Sequence, residues 1–327
     1  MKSISLKSTY IKTSITAVAL SIASTTWAAG PVVGQFLTGS SGGVYDILGG
    51  GLTNTINKHV DNMRLNPSNP ATISRVPVQL NNGRAVLGIV QMDIINRAMK
   101  GIEEYQQPQP NVRVLMGLYD NVMSQVVLDD SPIQNINEAA GLKIGVPSEG
   151  TKMIVAGVYE MAGVPEDKIE WVYLSYAEIA DALRDGYIDI GTLTAFPKNG
   201  TVEGLAATEG VRFLEADDSI QDQWNRETPI NAFRKIPAGT YPGVDEDAAF
   251  YAVFASLIAS THLSDDAAYR IVKGVYENVD EVAAVHPAGK QISLAKTQEY
   301  IKEGIISPEQ LHPGARKYLE EKGIKLQ

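Results

Sequence analysis

Two glycine- and serine-rich loops, each set between a strand-like run and a helix-like segment, constrain this chain more than any other feature. The first is Gly39–Gly43, which follows an apolar run ending at Leu37 and precedes an amphipathic helix predicted from Val44 toward Lys58. Such a loop directs backbone N–H groups at a ligand, and the partial positive charge of a helix start suits an anion. Glycine lets the ligand approach the backbone closely.

A second copy of this pattern occurs later in the chain. Ile144–Val146 is predicted to be a short buried strand, Pro147–Gly150 a turn, and Thr151 the start of a helix. If each unit belongs to its own lobe, two helix N-termini would point into one cleft. The alternative is that both are ordinary tight turns between a strand and a helix, without any ligand.

The N-terminus has the pattern of a secretory signal peptide over residues 1–28. A basic, acid-free region is followed by the apolar stretch Ile15–Ala23 and a small-x-small cleavage site at Thr26–Ala28. This apolar stretch is shorter than the ~20 residues that a transmembrane helix needs. We therefore expect export to the periplasm and a mature chain that starts at residue 29.

Composition excludes several classes of protein. The chain has no cysteine, so it has no disulfide framework, no thiolate nucleophile and no lipid-accepting cysteine after the signal. A freely diffusing, monomeric periplasmic protein is expected, not a lipid-anchored one. The net charge of −10 argues against nucleic acid and anionic lipid as partners. With only four histidines, we predict neither a metal site nor a cofactor.

Apolar strand-like runs alternate with helical patterns, which predicts an α/β fold with mostly parallel sheets flanked by helices. Val112–Leu118 and Val122–Leu128 are predicted to be two consecutive strands, and Ser175–Glu178 has a capping-box pattern that starts a helix. The chain is long enough for two domains. We expect crossovers near Tyr119 and Thr240, so the predicted lobes are residues 29–118 plus 241–327, and residues 119–240.

Candidate ligand-binding residues lie in the two loops and at strand ends. Tyr45, on the first helix, either packs in the core or contacts the ligand. Asp93 follows a buried strand at an edge where open α/β sheets bind ligands, but capping the next helix is the favoured role for it. Lys152 and Arg75 are candidate cations for a carboxylate, as is Lys198, although each is alternatively a surface charge. The full set is Ser40, Ser41, Gly42, Val44, Tyr45, Arg75, Gln91, Ser148, Gly150, Thr151, Lys152, Thr192, Thr194, Phe196 and Pro197.

Seven segments between Gly34 and Gly323 resemble, in order, the motifs of the TAXI family of solute receptors for TRAP transporters. They are TGSSGGVYDILGGGL, LGIVQMD, GVPSEGT, LSYAEIADALRDGYID, IPAGTYPGVDED, HPAGK and LHPGARKYLEEKG. The resemblance implies a two-lobed periplasmic binding protein, type II-like, that is not an enzyme. It also implies a small organic anion as ligand (glutamate, glutamine, a dicarboxylate or a keto acid) and a fused TRAP membrane subunit as partner.

A secreted serine hydrolase is the alternative from a different class. Residues Gly39–Gly43 fit the G-x-S-x-G pattern of a nucleophile elbow, with Ser41 as nucleophile. A hydrolase would also need a downstream acid and histidine. His286 and His312 both precede proline within apparent structural motifs, and His59 ends the first helix, which favours the receptor.

Overall fold

The computed structural model describes residues 30–39, 43–196, 198–227 and 232–326. The predicted signal peptide and the candidates Ser40, Ser41, Gly42 and Pro197 lie outside the described residues. From Val32 onward the chain forms one compact unit. None of the helices in the described part of the chain is long and apolar enough to cross a membrane.

Strands and helices alternate through most of the unit. The strands are β1 Val32–Leu37, β2 Met63–Ser68, β3 Leu87–Gln91, β4 Val112–Leu128, β5 Lys143–Val146, β6 Glu170–Tyr173, β7 Ile190–Phe196, β8 Val211–Phe213, β9 Phe233–Ile236 and β10 Ala248–Ser260. The helices are α1 Val44–His59, α2 Arg75–Asn81, α3 Met92–Lys100, α4 Glu149–Met161, α5 Tyr176–Arg184, α6 Gly200–Thr208, α7 Asp218–Glu227, α8 Asp265–Glu277, α9 Val279–Ala283, α10 Leu294–Lys302 and α11 Pro313–Glu321.

The strands form a sheet in the order β2-β1-β3-β10-β4-β7-β5-β6, with β8 paired to β4 and β9 paired to β10. The outer strands are parallel, as predicted: β1 with β2 and β3, and β5 with β6 and β7. The centre is antiparallel, because β10 pairs antiparallel with β4. In addition, β10 pairs antiparallel with β3, and β4 with β7. The α/β class is confirmed, whereas the sheet is mixed instead of mostly parallel.

One long strand replaces the two consecutive strands predicted around Tyr119. Asp120 interrupts the apolar pattern, but its carboxylate accepts hydrogen bonds from Tyr300 Oη at 2.7 Å and Lys296 Nζ at 3.1 Å. Its backbone N–H donates to Gln291 Oε1 at 3.1 Å. These tertiary partners satisfy a polar residue inside a buried strand, which local sequence cannot show.

The predicted lobe boundaries can be placed on these elements. The boundary at residues 118 and 119 falls inside β4, and the boundary at residues 240 and 241 falls between β9 and β10. Under this division, β4 and the loop between β9 and β10 would carry the chain from one lobe to the other. The division into two lobes stays a prediction.

Local capping signals set the starts of α4 and α5. Ser175 and Glu178 form the predicted capping box at the start of α5. The second loop differs slightly from the prediction, since α4 begins at Glu149 and Ser148 is its N-cap. The Ser148 hydroxyl accepts a hydrogen bond from the backbone N–H of Thr151 at 3.2 Å, and the helix begins two residues earlier than predicted.

Close packing fixes α1 against the end of β1. Leu48, Leu52 and Ile56 of α1 are fully buried in a hydrophobic cluster that includes residues of α8. Gly49 faces Thr38, and a Cβ at this position would lie 2.2 Å from Thr38 Cγ2. The absence of a side chain at Gly49 therefore lets the helix approach the strand, which holds the start of α1 beside the first loop.

His312 caps α11 in its neutral form and gives the protein a pH-dependent stability. Its Nδ1 accepts from the backbone N–H of Gly314 at 3.3 Å, and its Nε2 donates to the carbonyl oxygen of Leu263 at 3.1 Å. Burial holds the pKa of His312 below its ordinary value. This contribution is present above the unfolded pKa of about 6.5 and is lost as pH falls through the folded pKa, because the unfolded chain takes up the proton first.

We expect the free energy of unfolding of the wild type to fall more steeply between pH 7.5 and 5 than that of His312→Asn. Asparagine retains a capping oxygen but does not titrate in this range. Chemical unfolding at several pH values, with both proteins compared under identical conditions, measures the difference. Identical pH profiles for the two proteins would contradict this role of His312.

Candidate ligand site

Four tyrosines and one aspartate meet at the centre of the molecule and form what we call the tyrosine cluster: Tyr45, Asp93, Tyr119, Tyr176 and Tyr251. The rings of Tyr45 and Tyr119 lie edge to face, with centroids 6.0 Å apart. Tyr176 interacts electrostatically with Tyr45, Tyr119 and Tyr251, and Asp93 with Tyr45 and Tyr251. The cluster therefore joins helices α1 and α3 on one side of the sheet centre to α5 on the other, across β4 and β10.

The tyrosine hydroxyls of the cluster remain protonated at neutral pH. Burial is the main cause that raises the pKa of Tyr45, and the negative charge of Asp93 raises it further. Burial likewise raises the pKa of Tyr119 and Tyr251 far above the ordinary value. Each hydroxyl is therefore a neutral group that can donate one hydrogen bond and accept others.

Three of these hydroxyls are buried without a hydrogen-bond partner among the described residues: those of Tyr45, Tyr119 and Tyr251. The fourth, Tyr176 Oη, is 2.7 Å from Thr194 Oγ1. An unsatisfied buried hydroxyl costs on the order of 1–3 kcal/mol. Three in one cluster, contributed by different elements, indicate a site where another molecule supplies the missing partners.

Asp93 adds a carboxylate to the cluster. Its side chain is 2 % exposed, Oδ2 accepts from Arg97 Nη1 at 3.0 Å, and Oδ1 is buried without a partner among the described residues. Burial raises the pKa of Asp93, while Arg97 and the backbone N–H groups of Ile94 and Asp93 oppose this shift. Asp93 is not the N-cap of α3, because Gln91 occupies that position. Its carboxylate instead interacts with backbone N–H groups of Asp93 and Ile94 in the first turn and pairs with Arg97 one turn later.

The structure brings some of the predicted site residues to this cluster. Tyr45 belongs to it: the ring packs with the core, and the hydroxyl has no partner among the described residues, so core packing is observed and ligand contact stays a prediction. Val44, the first residue of α1, packs against the same core. Thr194 joins through its bond to Tyr176, and Gln91 is half-buried at the end of β3, just before α3.

Thr192 lies in the interior behind Thr194. Its hydroxyl donates to Gln125 Oε1 at 3.1 Å, and Tyr159 Oη donates to the same oxygen at 3.0 Å. Gln125 Nε2 has no partner among the described residues. Thr192 therefore orders the interior behind the cluster. Phe196, at the end of β7, packs against the hydrophobic core.

Residues of the second loop satisfy one another at the start of α4. Ser148 and Thr151 form the cap described above, and their hydroxyl oxygens are 3.1 Å apart. Gly150 has open space where a Cβ would be. Lys152 Nζ lies 2.5 Å from Glu166 Oε1 and 3.5 Å from Glu149 Oε1. No hydrogen bond or ion pair joins this loop to the tyrosine cluster within the described residues.

The other two candidate cations lie apart from the cluster. Lys198 pairs with Glu203 at 2.6 Å on the surface. Arg75 begins α2 and lines an open groove together with Arg84 and Tyr105. Ligand contact by Lys152, Arg75 or Lys198 stays a prediction.

Two of the histidines that a hydrolase could use, His286 and His312, are engaged in helix caps, whereas no cap involves the third, His262, among the described residues. His286 Nδ1 accepts from the backbone N–H of Ala288 at 3.1 Å, and His312 caps α11. His59 pairs with Glu281 at 2.9 Å. The proposed nucleophile Ser41 lies outside the described residues. These contacts explain both His-Pro pairs as helix starts, which agrees with their interpretation as structural motifs.

Sequence reasoning missed Tyr119, Tyr176 and Tyr251 as site residues. Tyr176 follows the capping serine of α5, at a strand–helix junction, and this position could have identified it. Tyr119 is followed by Asp120 and Asn121, two polar residues within an apolar strand. This interruption of the apolar pattern could have identified Tyr119 as a candidate site residue. Tyr251 lies within the apolar strand β10, where no local signal distinguishes it from a core residue.

A sheet with parallel outer strands, a central antiparallel pair and flanking helices is the fold of the periplasmic binding proteins. The structure resembles a periplasmic sulfonate-binding protein, SsuA, from Methylobacillus flagellatus KT, at 14% identity and TM-score 0.55, covering 91% of this chain and 97% of that one. It also resembles a TctC solute-binding protein from Polaromonas, at 14% identity and TM-score 0.50, covering 81% and 88%.

The sequence carries a family assignment of its own. Residues 36–323 match the NMT1-like family, and because this match spans most of the chain, the protein belongs to that family. No curated protein matches the sequence significantly.

Proposed function

We propose that the protein is a periplasmic solute receptor that binds a small organic anion at the tyrosine cluster. The receptor delivers this solute to the fused membrane subunit of a TRAP transporter, acts as a monomer without a lipid anchor, and catalyses no reaction. The fold supports this proposal, since the similar SsuA and TctC structures are named as sulfonate-binding and solute-binding proteins. The resemblance of the seven motifs to TAXI receptors supports the TRAP assignment.

The buried, unpartnered hydroxyls of Tyr45, Tyr119 and Tyr251 are the observation that carries the proposal. They belong to α1, β4 and β10, so a ligand among them would bridge separate elements of the fold. Hydrogen bonds to an ionised oxygen contribute about 1.5–3 kcal/mol each, and exclusion of water strengthens them. Closure of two lobes about β4 and β10 would bring these donors to the ligand.

Asp93 narrows the class of ligand. Its free Oδ1 requires a hydrogen-bond donor, and an ammonium group is the donor that best matches a buried carboxylate. The hydroxyl donors in turn suit a carboxylate on the same ligand. Among the small organic anions considered, an amino acid such as glutamate or glutamine therefore fits better than a dicarboxylate or a keto acid.

The first glycine-rich loop remains part of the proposed site. Ser40, Ser41 and Gly42 precede α1, whose second residue Tyr45 belongs to the cluster, so backbone N–H groups at the start of this helix lie next to it. We expect Gly42→Val to weaken ligand binding by at least about tenfold, because a side chain would block approach to the backbone. Calorimetry with unchanged affinity would contradict this position of the loop.

Tyrosine-to-phenylalanine variants test the proposal directly. We expect Tyr45→Phe, Tyr119→Phe and Tyr251→Phe each to weaken binding by about tenfold, because each hydroxyl has its partner only in the complex. The free energy of unfolding without ligand should stay equal or rise, since an unsatisfied hydroxyl is removed. Calorimetric titration of ligand-stripped protein with amino acids and keto acids measures the affinity, and chemical unfolding measures the stability.

Tyr300→Phe is the matched control. Tyr300 is equally buried, but its hydroxyl donates to Asp120 at 2.7 Å, so this variant should lose stability by about 1–3 kcal/mol and keep its ligand affinity. Wild-type affinity in all three cluster variants would contradict the site. Labelling of Ser41 by a serine-reactive phosphonate would instead support the hydrolase.

A further inference from the structure

An open groove lies between α2 and the segment that follows α3, and we call it the arginine groove. Its volume is about 520 Å³, and its lining includes Arg75, Gln79, Asn82, Arg84, Glu104 and Tyr105. Tyr105 Oη donates to the carbonyl oxygen of Ser74 at 2.7 Å and so ties the two walls together. The groove is a preformed surface feature, separate from the residues of the tyrosine cluster.

The two arginines of the groove are exposed and have no acidic partner among the described residues. The carboxylate in the lining, Glu104, is already bound by Arg97, with Nε–Oε2 and Nη2–Oε1 distances of 3.1 and 3.3 Å. Glu103 lies against the same arginine at 3.1 Å. In a chain with net charge −10, Arg75 and Arg84 therefore present positive charge that the protein itself leaves unmatched.

The chemistry of the lining indicates what could occupy the groove. Guanidinium groups bind carboxylates in a planar, bidentate geometry, and the amides of Gln79 and Asn82 can bind a peptide backbone as donors and acceptors. Exposed ion pairs are individually weak, so a single small anion gains little here. An extended segment with several carboxylates would engage both arginines and the amides together.

We propose that the arginine groove is a docking surface for an acidic peptide segment of a protein partner. The inference rests on the proposed function, under which that partner is the transporter's membrane subunit. Helix α3 connects the groove to the ligand site through a chain of ion pairs. Asp93 of the cluster pairs with Arg97, and Arg97 binds Glu104 at the groove. The docking surface thus adjoins the helix that carries the ligand's carboxylate partner.

Titration with a fluorescein-labelled hexaglutamate peptide at low salt, followed by fluorescence anisotropy, tests the proposal. We expect the double variant Arg75→Glu/Arg84→Glu to bind the peptide at least about tenfold more weakly than the wild type, since attraction becomes repulsion. The control Arg64→Glu/Lys290→Glu has the same net charge and alters two exposed cations that have no partner among the described residues. It should bind within about twofold of the wild type.

Three results would overturn the docking surface. The first is equal peptide affinity in both double variants, and the second is displacement of the peptide by equimolar succinate or phosphate. The third is binding of phosphatidylglycerol vesicles that depends on the two arginines. Succinate or phosphate displacement would indicate a small-anion site, and the vesicle result a lipid surface. Calorimetry of amino-acid binding by the wild type, compared with its peptide binding, separates the two proposals. Normal amino-acid binding without peptide binding removes only the docking surface, whereas peptide binding without any solute binding removes the receptor function.

Discussion

Replacing Asp120 by alanine is expected to lower the free energy of unfolding by about 3 kcal/mol, because this removes the acceptor of a buried charge network. Tyr300 Oη and Lys296 Nζ donate to this carboxylate, and Arg234 Nε lies 3.5 Å from it. The two cations keep Glu299 and Glu303 as partners, which places the expected loss at the lower end of the range for broken buried pairs. Urea unfolding monitored by circular dichroism measures it.

Asp266→Ala is the matched control for this prediction. Asp266 pairs with Arg270 at 2.9 Å, but its side chain is 76% exposed, so its loss should cost at most about 1 kcal/mol. If Asp120→Ala unfolded at the same urea concentration as Asp266→Ala, the network would not stabilise the fold as argued.

Replacing Asp93 by asparagine is expected to weaken glutamate or glutamine binding by about 30- to 100-fold, since a charge-assisted bond to the ammonium group contributes about 2–3 kcal/mol. Binding of 2-oxoglutarate, which lacks the ammonium group, should change far less. The wild type should therefore prefer the amino acid, and the variant should lose that preference. Calorimetry with both ligands on both proteins gives the four affinities.

Glu104→Gln is the matched control. It also removes an ion pair of Arg97, but it leaves the charge of Asp93 in place. Glu104 binds the same arginine but lies in the arginine groove, so this variant should retain the preference for the amino acid. A wild type that binds 2-oxoglutarate more tightly than glutamate, or an equal loss for both ligands in Asp93→Asn, would contradict the ligand class.

Local patterns in the sequence predicted the elements that local forces determine. The helix after the first loop runs over Val44–His59, close to its predicted bounds, because an amphipathic pattern and a glycine turn both act within a few residues. The capping box at Ser175 is present for the same reason. The His-Pro pairs at His286 and His312 are also local signals, since proline suits the first helical position and the histidine before it can cap the helix.

The continuity of β4 through Tyr119 and Asp120 depended on partners far along the chain. Tyr300, Lys296 and Gln291 satisfy Asp120 from the C-terminal part of the sequence. Without those partners, a charged residue in an apolar run is typical of a turn, and two strands were therefore predicted. The antiparallel centre of the sheet has the same origin, because the path of β10 beside β4 is a long-range pairing.

The candidate site shows the same division. The sequence by itself determined the α/β class, the family and the segments that border the site, including Tyr45 and Thr194, because turns, caps and periodicity are encoded within short windows. Only the tertiary structure brought Asp93, Tyr119, Tyr176 and Tyr251 together, and it left Asp93 Oδ1 and the hydroxyls of Tyr119 and Tyr251 buried without partners among the described residues. Burial and hydrogen-bond satisfaction depend on which distant elements pack against a residue, and no local pattern records them.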